Sequence, residues 1–479
     1  MKKLIFLIVA VVYLAAPITA FIMTKQVVVS GKGSITGQVT LGSPQSQSLT
    51  VVAISDEHEE LPPQTTQPDY ALGGTATPAD LINRVRAEKP DYILVAGDIG
   101  HYSIPMEYGG VFLQSTGAVS TGSHTFTING SSSYSEFGHT PNPDAYVIGS
   151  TDTPTLLETT QYAAVYDDST GANFELAQVS AVTQHTVTAT FAKAHASGFL
   201  MRMSAMSEYW DYVLQGKVVG ATGNHDGECY PTGSYIGNSC GQQSPANILN
   251  YFAPMYQGSL IGYFSKKLNS LLGIVVIDTM ADQYTAYPNY GVTYGSTQEV
   301  ALRPALTGGV GSTWLLTIGH YLPANSGNGN NGGVARWALN SAVDMSIGGH
   351  MHIAQVLQSP RCIGSGCSAG STTIPVIDVS SYTAMAFDPL SSYNPSGWTA
   401  GAPPGPVGVA LSASCPGCTR SVLNGYNLDG TNSTGNHFRS YLKLTLTAHS
   451  LTWRMIDNTG ATVCDYTTPS QCAAGSLTK

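Results

Sequence analysis

Five short segments of this 479-residue chain place metal-ligand residue types directly after short apolar runs. They are Asp56-Glu57-His58, Gly97-Asp98, Gly223-Asn224-His225-Asp226, Gly319-His320 and Gly349-His350-Met351-His352. A mixed set of carboxylate, imidazole and amide donors suits zinc, manganese or iron better than calcium, which takes oxygen donors. Two such cations about 3.5–4 Å apart can clamp both the attacking and the leaving oxygen of a phosphoryl transfer. Two like charges that close need an anionic bridge, and a single carboxylate such as Asp98 can bind both. Glycines beside the donors let the backbone approach the site closely.

A lone His or Asp after a strand is ordinarily a turn or capping residue. That reading is adopted for His124, His139, His185, His195, His437 and His449, and Glu57, Glu59 and Glu60 read as a solvated charge run. Five blocks in order are harder to assign to turns, because chance rarely yields such a set.

The elements that must position these donors are legible as short apolar runs. Residues 49–55 lead into Asp56, 91–96 into Gly97-Asp98, 217–221 into the Gly223 block, 314–318 into Gly319-His320 and 344–347 into the Gly348 block. A helix over 79–89, opened by Pro78, makes the first two runs a βαβ unit whose acids stand at strand carboxyl ends, where open α/β sheets bind ligands. Alternating segments at 123–128, 145–147, 163–166, 174–182 and 186–191 predict a small inserted β domain over 104–192. A helix is predicted over 203–214, a short one over 334–339, and hairpins over 260–278 and 441–456. The almost purely Asn/Gly stretch 325–333 reads as a surface loop, with room for a lid role after His320.

Composition sets the outer limits. Charged residues are 10% of the chain, against about 25% in an average globular protein. The net charge is −10, which repels a diffuse polyanion and argues against specific nucleic-acid binding. Lys2 and Lys3 precede an apolar run over 4–23 that reads as an export signal with a cleavage point after Ala20, and is also long enough for a retained membrane anchor. Either alternative puts the bulk of the chain outside the cytoplasm, secreted or at the cell surface. The eight cysteines fall into local couples, Cys229/Cys240, Cys362/Cys367, Cys415/Cys418 and Cys464/Cys472, which in an exported chain favours disulfides. A structural zinc held by Cys362, Cys367, Cys415 and Cys418 is the alternative. Asn129-Gly130-Ser131 and Asn432-Ser433-Thr434 are glycan acceptors if the host glycosylates exported chains.

The ordered blocks D-x-H, G-D, G-N-H-D, G-H and G-H-x-H resemble the calcineurin-like metallophosphoesterases, which are related to the purple acid phosphatases. The resemblance covers 49–103 and 193–457 and skips the insert, which accounts for the long gap between Asp98 and Asn224. It implies an α/β/β/α sandwich with the inserted all-β domain. The remaining pieces are a signal or anchor over 1–23, a linker or edge strand over 24–48 and a disulfide-stapled tail over 458–479. It further implies that Asp56, His58 and His352 bind one metal ion, that Asn224, His320 and His350 bind the other, and that Asp98 bridges them. His225 would be the non-ligand histidine that contacts the phosphoryl group or protonates the leaving oxygen, with Asp226 orienting it.

The implied reaction is hydrolysis of small-molecule phosphomonoesters or phosphodiesters by attack of a metal-bridging hydroxide. In the purple acid phosphatase branch a tyrosine three residues after the bridging aspartate binds iron. Here that position is His101, which argues against a tyrosinate iron site. A cell-surface structural or filament-forming protein, self-assembling and carrying this fold, is the rival reading. Low charge and Ser/Thr/Gly richness suit it, while the complete donor set speaks for the enzyme.

Overall fold

The computed structural model describes residues 48–56, 78–98, 111–130, 162–168, 170–182, 186–203, 209–223, 228–229, 234–235, 255, 261–279, 291–323, 334–350, 354–363, 368–379, 419–424, 440–457, 459–464 and 470–479. The apolar run 4–23, the linker 24–47, the strand expected at 145–147 and the Asn/Gly loop 325–333 lie outside these residues. Among the described residues no helix is long and apolar enough to cross a membrane.

Two mixed sheets face each other. The first runs in the order β21-β20-β19-β1-β2-β9. Its members are β1 (Leu49–Ile54), β2 (Tyr92–Val95), β9 (Val218–Gly220), β19 (Ser440–Leu446), β20 (Ser450–Asp457) and β21 (Ala474–Thr478). β1, β2 and β9 are parallel, and the β19–β20 hairpin and β21 extend the sheet antiparallel. The second sheet runs β12-β13-β14-β15-β17-β16-β18. Its members are β12 (Phe264–Lys267), β13 (Leu272–Val276), β14 (Trp314–Ile318), β15 (Met345–Gly348), β16 (Ala354–Ile363), β17 (Ser368–Asp378) and β18 (Thr419–Asn424). Here β13, β14, β15 and β17 are parallel. A two-residue pair, β10 (Glu228–Cys229) and β11 (Ser234–Tyr235), stands apart.

Parallel strands covered on both faces read as unbroken apolar runs, which is why β13 and β14 are LGIVV and WLLTI with every residue buried. Val51, Ala53, Leu94 and Leu444 of the first sheet share one core with Ile274, Val276, Leu316, Ile318 and Ile347 of the second. Burying each such side chain contributes about 1.5–3 kcal/mol, so this interlayer core is what holds the two sheets, and their strand ends, together. The outer face of the second sheet, through Val275, Ile277 and Leu315, packs on α3 (Thr297–Gly308) and a 3₁₀ turn, η1 (Val334–Leu339). On the first sheet α1 (Pro78–Ala87) lies against β19 and buries Leu81 and Val85.

Some sequence expectations change here. The helix predicted over 203–214 is confined, among the described residues, to α2 (Trp210–Leu214), and Met203 ends a strand. Helix α3 was not foreseen, because Pro304 inside it breaks the helical pattern. Its start signal is nonetheless present: the Ser296 hydroxyl accepts the Glu299 amide at 3.3 Å, and the Glu299 carboxylate accepts the Gly295 amide at 3.1 Å. Part of the expected tail forms β21 on the edge of the core sheet. There Cys464–Cys472 is a disulfide as expected. Cys362 is also disulfide-bonded, which removes it from any tetrathiolate zinc site. Cys240, Cys367, Cys415 and Cys418 lie outside the described residues.

Between β2 and β9 the chain builds a closed six-stranded barrel in the order β3-β4-β7-β6-β5-β8. Its strands are β3 (Val111–Ser115), β4 (Gly122–Gly130), β5 (Tyr162–Tyr166), β6 (Glu175–Val182), β7 (Thr186–Phe191) and β8 (Leu200–Met203), so the closing strand lies beyond residue 192. Phe126, Phe191 and Phe199 pack edge to face inside it. The barrel touches the core through Arg86 of α1. That guanidinium binds both oxygens of Asp211 at 2.8 and 2.9 Å and lies 3.5 Å from the centre of the Phe174 ring.

Candidate metal centre

The strands of each parallel set end on the same side, and the candidate donors stand just past those ends. Asp56 follows β1, Asp98 follows β2, His320 follows β14 and His350 follows β15. The two sheets' end loops interlock. His320 Nδ1 lies 2.8 Å from the Ala96 carbonyl across the sandwich, and the His350 amide donates to both carboxylate oxygens of Asp56 at 3.0 and 3.1 Å. The Asp56 amide donates to Gly97 O at 3.1 Å and the Gly349 amide to His320 O at 2.9 Å.

Three of these donors sit on left-handed backbone: Asp56 at φ 55°, Asp98 at 52° and His350 at 76°. Each such residue costs on the order of 1–3 kcal/mol and persists only where its surroundings enforce it, a pattern concentrated at functional sites. Part of the enforcement is close packing by glycine. A Cβ at Gly349 would overlap Ser55 and Asp56, and one at Gly223 would overlap Asp98.

His320 fixes the electrostatics. A carbonyl only accepts, so the proton shared with Ala96 belongs to Nδ1 and the lone pair of a neutral ring is on Nε2. Nε2 faces Asp98 Oδ2 at 2.9 Å, with both side chains fully buried. A lone pair and a carboxylate that close require a cation between them. In the metal-free protein that cation is a proton. Burial opposes charge on the ring, but the charge and hydrogen bond of Asp98, with the charge of Asp56, outweigh it and raise His320 from 6.5 to about 9. A metal ion would take the proton's place.

Asp98, His320 and His350 each offer a ligand atom, and these atoms lie within 4.8 Å of one another. Asp56 is fully buried beside them, tied to the His350 amide. His58, Asn224, His225, Asp226, His352 and His101 lie outside the described residues, although Gly223, at the head of the 223–226 block, abuts Asp98. One carboxylate and two imidazoles, buried or half-buried, with one nitrogen already aimed at the carboxylate, fit a borderline divalent ion.

Sequence reasoning passed over Tyr321 here, and two buried acids at the ends of neighbouring strands. Tyr321, directly after His320, sets its ring 4.2 Å from that of His350. Asp278 and Asp378, both buried, stand at the carboxyl ends of β13 and β17 as Asp56 does at that of β1. The available signal was the one used for Asp56, an apolar run ending in an acid.

No protein-family model matches the chain, and no curated protein does. Among solved structures, one titled "Structure of PhoD" is similar at 12% identity over 87% of this chain and 72% of that one, with a TM-score of 0.37. The purple acid phosphatase PPD1 from yellow lupin (Lupinus luteus) seeds is similar at 10% identity over 77% and 74%, with a TM-score of 0.32. GAP50, the anchor in the inner membrane complex of Plasmodium, is similar at 9% over 87% of both chains, with a TM-score of 0.35. Likenesses this distant fix neither activity nor substrate.

Proposed function

We propose that the chain is a two-metal hydrolase of small phosphoesters that works outside the cytoplasm. The observation that carries this reading is the buried His320–Asp98 pair, its facing lone pair and carboxylate joined by His350. In the reading two ions of zinc, manganese or iron would be held with Asp98 shared between them, one by Asn224, His320 and His350 and the other by Asp56, His58 and His352. Such a pair supplies an activated water and charge stabilisation for phosphoryl transfer. Around it, Ala96 keeps the proton of His320 on Nδ1, so Nε2 remains a donor. Asp56 holds the His350 backbone through its amide. An imidazole nitrogen of His225 delivers a proton to the leaving oxygen, oriented by Asp226. Residues 1–23 direct export or anchor the chain, and the barrel is an insert in the catalytic domain.

The test is metal analysis joined to a panel of phosphomonoesters and phosphodiesters. The expected result is about two transition ions per chain and hydrolysis that disappears with chelation and returns with metal. A folded chain that stays metal-free with every ion supplied, or a metal-loaded one inert on the whole panel, overturns the reading.

A further inference from the structure

His320 and His350 both lie beside Tyr321, their ring centres 5.4 and 4.2 Å from its own, but they are oriented by different means. The ring of His320 is aimed by a hydrogen bond to the Ala96 carbonyl. The ring of His350 is met edge to face by two others, His320 at 5.2 Å and 72° and Tyr321 at 4.2 Å and 71°. Imidazole rotation about its outer torsion is broad, so a ligand ring needs a wall to fix its plane. His350 is only half-buried, whereas Tyr321 is 4% exposed. Tyr321 is itself anchored, since its amide donates to the buried Thr279 hydroxyl at 3.1 Å. The wall is thus the residue next to His320, its backbone tied to the loop that follows β13.

We infer that Tyr321 is a positioning residue, whose ring sets the plane of the His350 imidazole so that His350, Asp98 and His320 aim at one point. The work is done by the face and edge of the ring, so phenylalanine can replace tyrosine. Residues that orient a ligand from behind typically change metal affinity about 10–100-fold when removed.

This rests on the metal centre and not on hydrolysis, and its test reads metal affinity. The folded, metal-free protein is titrated with Zn²⁺ or Mn²⁺ by calorimetry, after circular dichroism has established the fold of each variant. Tyr321→Phe is expected to bind within about twofold of wild type, and Tyr321→Leu, which keeps an apolar side chain without a flat ring, about 10–100-fold more weakly. In a His350→Ala background the leucine change should add less than about twofold, because the ring it positions is gone. Tyr321→Met carries the same comparison if the leucine variant does not fold.

Three results overturn the assignment: wild-type affinity without the ring, a phenylalanine variant as weak as leucine, or the same loss in both backgrounds. A wild-type chain that binds ions but hydrolyses no phosphoester overturns the proposed function alone. One that binds no ion overturns both.

Discussion

Among the described residues two histidines are sealed against carboxylates, one where the facing sheets end and one in the barrel, and of these two the first alone has donors that converge. His320 gives Nδ1 to a backbone carbonyl and turns Nε2 toward Asp98, on the side where His350 also arrives. His195 has Asp167 2.7 Å from Nδ1 and Glu175 2.7 Å from Nε2, on opposite edges of a ring packed against Phe191 and Phe199. Glu175 is further occupied by the amides of Ala192 and Lys193, at 2.6 and 3.2 Å. Both histidines are buried and both are acid-paired. Convergence is the difference: donors sharing a point can bind an ion, while donors on opposite edges tie loops together. Burial beside an acid is therefore no sign of a ligand without that geometry.

The sharpest way to break the contrast is to remove the acid of the first pair. Asp98→Ala should unseat both ions and cost more hydrolysis than any other single ligand change, read by metal analysis and rate on one chromogenic ester. Intact metal content in this variant would dissolve the distinction.

Removing the barrel histidine should do the opposite. His195→Ala leaves Asp167 and Glu175 without their shared hydrogen-bond partner, and leaving a buried polar group unsatisfied costs on the order of 1–3 kcal/mol. The unfolding midpoint in urea should fall accordingly while metal stoichiometry holds. Loss of metal from the folded variant would show that the barrel and the centre are one cooperative unit.

A smaller effect sharpens the first half of the comparison. His320 is raised from 6.5 to about 9, so at neutral pH an incoming ion must displace its proton. Metal titration at neutral pH should release that proton, seen as a dependence of the binding heat on buffer ionisation, and affinity should weaken as pH falls below about 9. For the metal-free protein the sign is reversed. The raised value stabilises the fold fully below pH 6.5, and that contribution fades as pH climbs through about 9.

Much of the centre was legible because its chemistry and its scaffold are both local in sequence. A buried parallel strand must be a continuous apolar run, and a donor placed at its end is visible as the residue that stops the run, as with Ile318, Gly319 and His320. The rest depended on contacts that no short window contains. His195 looked like a loop histidine because its partners, at 167 and 175, reach it only when the barrel closes. Strand β8, LMRM, is too short to display alternation, and β21, AGSLT, is an exposed edge with no apolar stripe. Tyr321 was passed over because an aromatic after a ligand is ordinarily read as core, and its role lies in an angle to a ring 29 positions further along the chain.

The pairing of β3 with β8 has a consequence for how such a chain changes over time. Val111, the first residue of the barrel, pairs directly with Met203, its last. Paired strand residues are about 4.5–5.5 Å apart, so the whole barrel enters and leaves through one narrow doorway in the crossover from β2 to β9. A gene can gain, lose or exchange the segment behind such a doorway in a single event, because the ends left behind are already neighbours. The surface the barrel presents can therefore be replaced wholesale, while the strand ends that carry Asp56 and Asp98 descend unchanged.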